Sequence, residues 1–218
     1  MFFAKGEGVK KAALVLMLSC ALPALGAPAP AKKAVARKEK KMTTPRDYAN
    51  TLVTLQTDLG DITIKFSYDK APKHVENFVD LAASGFYDGV MFHRVIPGFM
   101  IQGGDPQTKK PEDSMHPYGT GGNVVNGQEK RLKAEFNDVS HRRGIVSMAR
   151  SADPNSASSQ FFIVVKDSTF LDNQYSAFGE VVSGMDVADK IAAVPRSAND
   201  RPTTPVHIKK VVVTQPKG

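Results

Sequence analysis

The sequence contains a single cysteine, Cys20, which lies in an apolar run near the N-terminus. If that run is removed from the mature protein, no thiol, disulfide or thiolate nucleophile remains, which excludes thiol chemistry. The five histidines lack the spacing of metal ligands, so no metal site is expected. Walker, dinucleotide-binding and His-Glu-x-x-His motifs are also missing, and no cofactor is expected.

Basic residues are in excess at only one end of the chain. The formal net charge is +7, and residues 1–47 hold ten Lys/Arg against three Asp/Glu. Residues 48–218 hold nineteen of each, so the charge of this part balances. A nucleic-acid-binding domain typically carries a basic patch, and we therefore expect no nucleic-acid partner.

Residues 1–26 have the pattern of a secretory signal peptide. Three lysines precede an apolar run, residues 12–25, that is short for a permanent membrane span. Ala24 and Gly26 then supply the small-x-small pattern of a cleavage site. The sequence thus predicts export to the periplasm, and the alternative is a lipid anchor on Cys20.

Residues 27–47 are rich in Ala, Pro and Lys and lack apolar periodicity, which predicts a disordered basic tether. The simplest interpretation of its charge is a solvated linker. The alternative is weak electrostatic contact with anionic surfaces such as lipid or cell-wall polymer. The remaining residues, 48–218, are predicted to form one folded domain.

This domain shows short alternating strands and only two helices. Segments 52–57 and 61–66 alternate at period two around a turn, which predicts a hairpin. One helix is predicted from Pro72 to a stop at Gly85, and a second over 185–193. Further strands are predicted at 90–92, 100–103, 145–149, 161–165, 177–182 and 206–215. This pattern favours an antiparallel barrel or sandwich, with a long polar loop over 106–144.

The most informative stretch runs from Phe92 to Asp105. It places one arginine, Arg94, among Phe, Val, Ile and Met, and ends in Gln102-Gly-Gly-Asp. A guanidinium is costly to bury without a partner, so this arrangement indicates a functional role for the arginine. A second aromatic cluster follows at 159–162. An apolar pocket with a few aimed donors suits a prolyl ring attached to an amide.

The same residues resemble the signature of the cyclophilins, the cyclosporin-binding class of peptidyl-prolyl cis-trans isomerases. Blocks at 119–122, 144–149, 159–163 and 178–179 follow in the order of that family, and the resemblance covers Thr51 to Gln215. It implies a mainly β fold, a closed eight-stranded antiparallel β-barrel capped by two α-helices. It also implies isomerisation of X-Pro bonds in unfolded or flexible Pro-containing polypeptides, and we expect a monomer.

The resemblance also implies roles by position. Arg94 corresponds to the catalytic arginine. Four residues correspond to the proline pocket: Phe99, Met100, Phe162 and Leu171. Gln102 and the backbone of Arg150 correspond to groups that hold the substrate chain. Gln160 and Ala149 lie at the gap where residues beside the proline are read.

Two further substrate-binding positions depart from the commonest eukaryotic pattern. Phe170 occupies the place of a tryptophan, and Tyr175 that of a histidine lining the proline pocket. The loop at 150–154 is one residue longer, and these features resemble bacterial secreted members. Because Phe170 lacks an indole N–H donor, weak cyclosporin binding is implied.

An alternative function is a chaperone-like or scaffold module that binds Pro-containing segments, with incidental turnover. The two functions differ in what they require of Arg94. Rotation about an X-Pro bond leaves a lone pair on the prolyl nitrogen, and a donor aimed there stabilises the twisted state over both planar states. Holding a segment needs no such donor, so Arg94 favours the enzyme.

Overall fold

The computed structural model describes residues 46–110 and 118–215. The predicted signal peptide, 1–26, and all of the predicted tether except its last two residues lie outside the described residues. Those two residues contact the domain. The Arg46 Nη1 donates to Asp80 Oδ1 at 2.7 Å, and the Asp47 backbone N–H donates to the Gln215 side chain at 3.2 Å.

The described residues form one eight-stranded sheet, a separate two-stranded hairpin and two α-helices. The strands are β1 (Leu52–Thr57), β2 (Gly60–Phe66), β3 (Arg94–Ile96), β4 (Met100–Gly103), β5 (Val124–Val125), β6 (Gln128–Glu129), β7 (Ile145–Met148), β8 (Phe161–Val164), β9 (Ala177–Ser183) and β10 (Ile208–Thr214). The helices are α1 (Pro72–Ala83) and α2 (Met185–Ala192). The large sheet has the order β10-β1-β2-β9-β7-β8-β4-β3, with antiparallel neighbours.

The prediction of a closed barrel is wrong, because the sheet is an open half-barrel with β3 and β10 at its edges. An isolated bridge between Met91 and His207 links the chain leading into these two strands. Pro202 and Pro205 precede β10, and proline cannot donate to a ladder. The Val95 N–H of β3 instead donates to the Asp200 carbonyl at 2.8 Å.

Strand alternation sorts the apolar side chains of the sheet into two clusters. In β4 and β8, Ile101, Phe161 and Ile163 belong to the main core inside the half-barrel. Their neighbours Met100 and Phe162 point to the opposite face and belong to a second, smaller cluster. Because side chains alternate along a strand, the same two strands build both the core and the floor of a surface site.

Both predicted helices are confirmed. Pro72 occupies the first turn of α1, where its missing N–H costs nothing. The Glu135 carboxylate accepts from the Lys73 and His74 backbone N–H groups at 3.1 and 3.0 Å, so a distant residue caps this helix. Helix α2 is joined to the segment just before β7 by a bidentate ion pair between Arg143 and Asp189, with distances of 2.6 and 2.7 Å. No described helix is long and apolar enough to cross a bilayer.

Two local predictions need correction. Residues 90–92 were expected to form a strand, but Met91 makes only a bridge and β3 begins at Arg94. The predicted loop at 106–144 contains a 3-10 turn at Pro106–Lys109 and the hairpin β5–β6. This hairpin turns at Asn126 and Gly127, both with positive φ, which suits a two-residue turn.

Candidate active site

Nine of the eleven predicted site residues line one small cavity of about 100 Å³. Its polar lining residues are Arg94, Gln102 and Arg150. Its apolar lining residues are Phe99, Met100, Ala149, Phe162, Leu171 and Tyr175. The structure therefore brings together residues from β3, the β3–β4 turn, β4, β8 and the segments after β7 and β8, which lie up to about 80 residues apart in the sequence.

The two remaining predicted residues lie beside this small cavity. Gln160 lines a larger neighbouring cavity of about 320 Å³, which shares Gln102, Ala149 and Arg150 with the small one. Phe170 is 64% exposed, and its ring centre lies 5.5 Å from that of Phe99. Phe170 therefore extends the apolar rim of the small cavity rather than its interior.

Arg94 lies at the rim of the small cavity and has few competing partners. It pairs with Gln102 across β3 and β4, and its side chain is 46% exposed. Its Nε lies 3.7 Å from Asp200 Oδ2, which is a long ion pair. Asp200 is shared with Arg196, whose Nε lies 3.2 Å from the other carboxylate oxygen. The guanidinium is thus oriented by Asp200, and in the described part of the chain no hydrogen bond occupies its outer N–H groups.

A chain of amide hydrogen bonds fixes the polar side of the site. The Gln102 Nε2 donates to Gln160 Oε1 at 2.9 Å, and the Gln160 Nε2 donates to the Gly121 carbonyl at 2.8 Å. The side chains of Gln102 and Gln160 are therefore held between the two cavities. A substrate chain that crosses this boundary meets amide groups whose orientation is already set.

Behind the apolar lining of the small cavity, here called the apolar wall, lies a buried polar chain that was not predicted from the sequence. The side chain of His141 is 1% exposed, with Nδ1 3.0 Å from Asp172 Oδ1 and Nε2 3.1 Å from Ser147 Oγ. Hydrogen bonds from the His141 backbone and, to a smaller extent, from Ser140 lower the pKa of the Asp172 carboxyl. These are the residue types of a serine hydrolase, but Ser147 is fully buried and cannot meet a substrate.

The buried chain supports the wall instead. The His141 ring stacks on Phe162 at 6.2 Å and meets Tyr175 edge-on at 6.4 Å. Asp172 directly follows Leu171, another wall residue. A signal for this chain was available in the sequence, because Ser147 alternates with the core residues Val146 and Met148 and so faces the site. His141 itself carried no pattern that marked it.

We expect His141→Ala to loosen the wall and weaken the binding of a proline-containing peptide. Loss of the stacked ring leaves a space behind Phe162, so KM should rise several-fold more than kcat falls. Steady-state kinetics with a Pro peptide measures this split, and urea unfolding shows how much stability is lost. His207→Ala, on a half-exposed ring outside the site, is the matched control. An unchanged KM for His141→Ala would rule out the positioning role.

The site offers no arrangement for metal or thiol chemistry among the residues that the structure describes. No three His, Cys, Asp or Glu side chains in residues 46–110 and 118–215 lie together in a way that could hold a metal ion. The site does present an apolar cavity with a cation at its rim. Such a site can hold a small ring and donate hydrogen bonds to an atom beside it.

Comparison with known proteins places the chain in a family. The sequence model of the family described as cyclophilin type peptidyl-prolyl cis-trans isomerase/CLD matches residues 52–213. A peptidyl-prolyl cis-trans isomerase from Acinetobacter baylyi is 41% identical over 174 residues, covering 76% of this chain and 86% of its relative. One from Schizosaccharomyces pombe is 44% identical over 161 residues, covering 73% and 97%.

Solved structures agree with this result. The crystal structure of a Cryptosporidium parvum cyclophilin type peptidyl-prolyl cis-trans isomerase matches with a TM-score of 0.67 and 31% identity, covering 77% of this chain and 99% of that one. A second crystal structure of that protein, in the presence of the dipeptide Ala-Pro, has a TM-score of 0.67 and 32% identity, covering 76% and 99%. This chain belongs to the cyclophilin-type peptidyl-prolyl cis-trans isomerases, and its activity is rotation about X-Pro bonds.

Proposed function

We propose that this isomerase assists the folding of exported proteins in the periplasm, with the small cavity as the seat of the proline ring and Arg94 as the catalytic donor. The observation that carries the proposal is the half-exposed guanidinium at the rim of a small apolar cavity. A pyrrolidine ring is apolar, and the amide beside it needs a donor only while it is twisted. The cavity and its cation meet these two needs together.

The physical task is to lower a rotational barrier. Twisting an amide breaks its resonance, at a barrier of about 18–20 kcal/mol, and the uncatalysed X-Pro step takes roughly tens to hundreds of seconds. As the bond twists, the prolyl nitrogen pyramidalises and gains a lone pair. A hydrogen bond from Arg94 to this nitrogen is stronger in the twisted state than in either planar state, so it lowers the barrier without covalent chemistry.

The other side chains bind the two sides of the X-Pro bond separately. Phe162, Met100 and Leu171 pack around the ring in the small cavity. Gln102 is fixed by Gln160 at the boundary to the large cavity, where it can bind the adjoining amide of the client. One side of the X-Pro bond is therefore held while the other turns, which converts binding into rotation.

A module that binds Pro-containing segments without turnover is the second candidate function, and the exposed aromatic ring beside the small cavity favours it. The exposed Phe170 ring lies beside that of Phe99 at the rim of the small cavity, and an unfolded segment can bind there without any bond rotation. Holding and turnover differ in one respect, because only turnover needs the donor at Arg94. The clients of both functions are unfolded or flexible Pro-containing polypeptides, and we propose that the protein meets them as a monomer.

The periplasmic location rests on the N-terminal sequence pattern, which includes three lysines, an apolar run and a small-x-small site. We expect the mature chain to begin at Ala27 and to be released with the soluble periplasmic fraction. Intact-mass measurement of the purified mature protein tests this. A chain beginning at an acylated Cys20, or one that keeps residues 1–26, would contradict the assignment.

A salt wash separates the proposed weak contacts of the basic tether from a lipid anchor. Contact of the 27–47 segment with an anionic surface is screened by salt, so raised ionic strength should release the protein. An acylated chain would stay with the membrane through the same wash.

A further inference from the structure

Arg150 lies at the junction of the small and large cavities and lines both. Its backbone has a counterpart in the family's substrate-holding groups, but its guanidinium has no assigned role. The position matters because a client whose proline occupies the small cavity must pass this side chain to reach the large one. A client residue spans about 3.5 Å of extended chain, so only a few residues near the proline can meet it.

The guanidinium is held in one place by neutral partners. Its Nε donates to the Gln174 carbonyl at 3.0 Å, and its Nη1 donates to the Ser151 carbonyl at 2.9 Å. Its central carbon lies 4.6 Å from the centre of the Tyr175 ring, a cation–π contact. Carbonyl dipoles and a ring orient the cation but leave its charge in place.

No carboxylate neutralises this cation within the described part of the chain. Arg150 forms no ion pair within 4.0 Å among residues 46–110 and 118–215. Its rigid placement also means that a ligand need not immobilise the side chain, which normally reduces the gain from a surface ion pair. The result is a pre-oriented positive charge at the entrance to the large cavity.

The other charges of the large cavity cancel each other. Glu129 and Arg131 form a pair, with Arg131 Nε 3.1 Å from Glu129 Oε2. The Glu129 carboxylate lies close over Gly122, where an added Cβ would clash with Oε1. The rest of the lining is neutral and includes Ser151, Ser156 and Gln160. Among the described residues that line the large cavity, the uncompensated charge is therefore that of Arg150.

We propose that Arg150 makes this isomerase select clients with an Asp or Glu side chain within three residues of the proline. This inference rests on the proposed use of the small cavity for proline. The large cavity, at about 320 Å³, has room for a carboxylate side chain, and its polar lining tolerates one. A lysine at the same client position meets a like charge and is disfavoured.

Matched peptides test the proposal. Sets that differ only in Glu, Gln or Lys are made for each position from three residues before the proline to three after it, and kcat/KM is measured for each. At one or more positions we expect Glu to exceed Gln by about threefold to tenfold. The ratio should shrink toward one when salt rises from about 0.05 M to about 0.5 M, because screening weakens the attraction.

Two variants assign the preference to Arg150. Arg150→Gln should bring the Glu-to-Gln ratio to about one, and Arg150→Glu should reverse the preference in favour of Lys. The ratio is taken within each variant, so a general loss of activity does not affect it. Arg142→Gln, on an exposed arginine paired with Asp167, is the control and should keep the wild-type ratio.

The outcomes separate this proposal from the function on which it rests. Equal kcat/KM for the Glu and Gln peptides at every position in the wild-type protein overturns the selectivity, while the isomerase activity itself stands. A preference that survives in Arg150→Gln overturns the assignment to Arg150. Failure to turn over any of the peptides would instead overturn the proposed use of the small cavity.

Discussion

Arg94→Ala should lower kcat/KM by about 10²- to 10³-fold, or roughly 3–4 kcal/mol of barrier lowering, by analogy with a lost oxyanion-hole donor. The guanidinium lies at the rim of the small cavity, and within residues 46–110 and 118–215 its one ion pair is a long contact with Asp200. In the proposed mechanism its hydrogen bond to the prolyl nitrogen forms mainly in the twisted state, so kcat and kcat/KM should fall together. A protease-coupled isomerisation assay measures both constants.

The loss should not come from unfolding. The Arg94 side chain is 46% exposed, and substitutions at such positions usually change stability by less than about 0.5 kcal/mol. Arg94→Lys keeps the charge but loses the planar fork of donors, and should recover only part of the activity. Arg142→Ala, at an exposed position outside the small cavity, should match the wild type. Wild-type activity in a folded Arg94→Ala protein would remove Arg94 from the mechanism.

The second large effect concerns acid stability and arises from His93. This ring is 6% exposed, and neither of its nitrogens has a hydrogen-bond partner among the described residues. Burial lowers its pKa from 6.5 to about 4, although the nearby Asp105 acts in the opposite direction. The folded protein therefore keeps His93 neutral under conditions in which the unfolded chain protonates it.

The direction of the pH effect follows from this difference. Above about pH 6.5 neither state is protonated and His93 carries no penalty. As pH falls from about 6.5 to about 4, only the unfolded chain takes up the proton, so up to about 3 kcal/mol of stability is lost. His74 is also buried with a lowered pKa, so it adds a loss of the same sign.

We expect His93→Gln to flatten this part of the stability profile. Urea unfolding at a series of pH values from 7 to 4 should show a smaller loss of unfolding free energy in the variant than in the wild type. His207→Gln, which changes a half-exposed ring paired with Asp58, is the control and should keep the wild-type slope. Parallel slopes for wild type and His93→Gln would show that His93 does not drive the acid loss.

Much of the fold could be predicted because its signals are local. The alternation in 52–57 and 61–66 and the glycine at 60 specify a hairpin, and Pro72 and Gly85 bracket α1. The edge of the sheet could not be predicted in this way. Whether β3 and β10 pair depends on how two segments that are distant in sequence approach each other. Pro202 and Pro205 disfavour a hydrogen-bonded ladder between them, but local patterns alone did not exclude one.

The residues of the site also differ in whether local patterns could predict them. Met100, Gln102 and Phe162 are residues of predicted strands, so their common face follows from alternation once the strands pair. The partners of His141 and the charge balance around Arg150 depend on contacts between remote loops. Such contacts leave no periodic signal in the sequence, which is why His141, Asp172 and Asp200 were not identified beforehand.

The most direct test of catalysis at the small cavity is exchange NMR on one Ala-Pro peptide with a catalytic amount of the mature protein. This method observes cis and trans resonances at equilibrium and needs no coupled enzyme. We expect cis–trans exchange to become many times faster than in the free peptide, with the cis-to-trans ratio unchanged, and to slow strongly with Arg94→Ala. Resonances that broaden on binding while exchange stays at the uncatalysed rate would contradict this and identify a holding module instead.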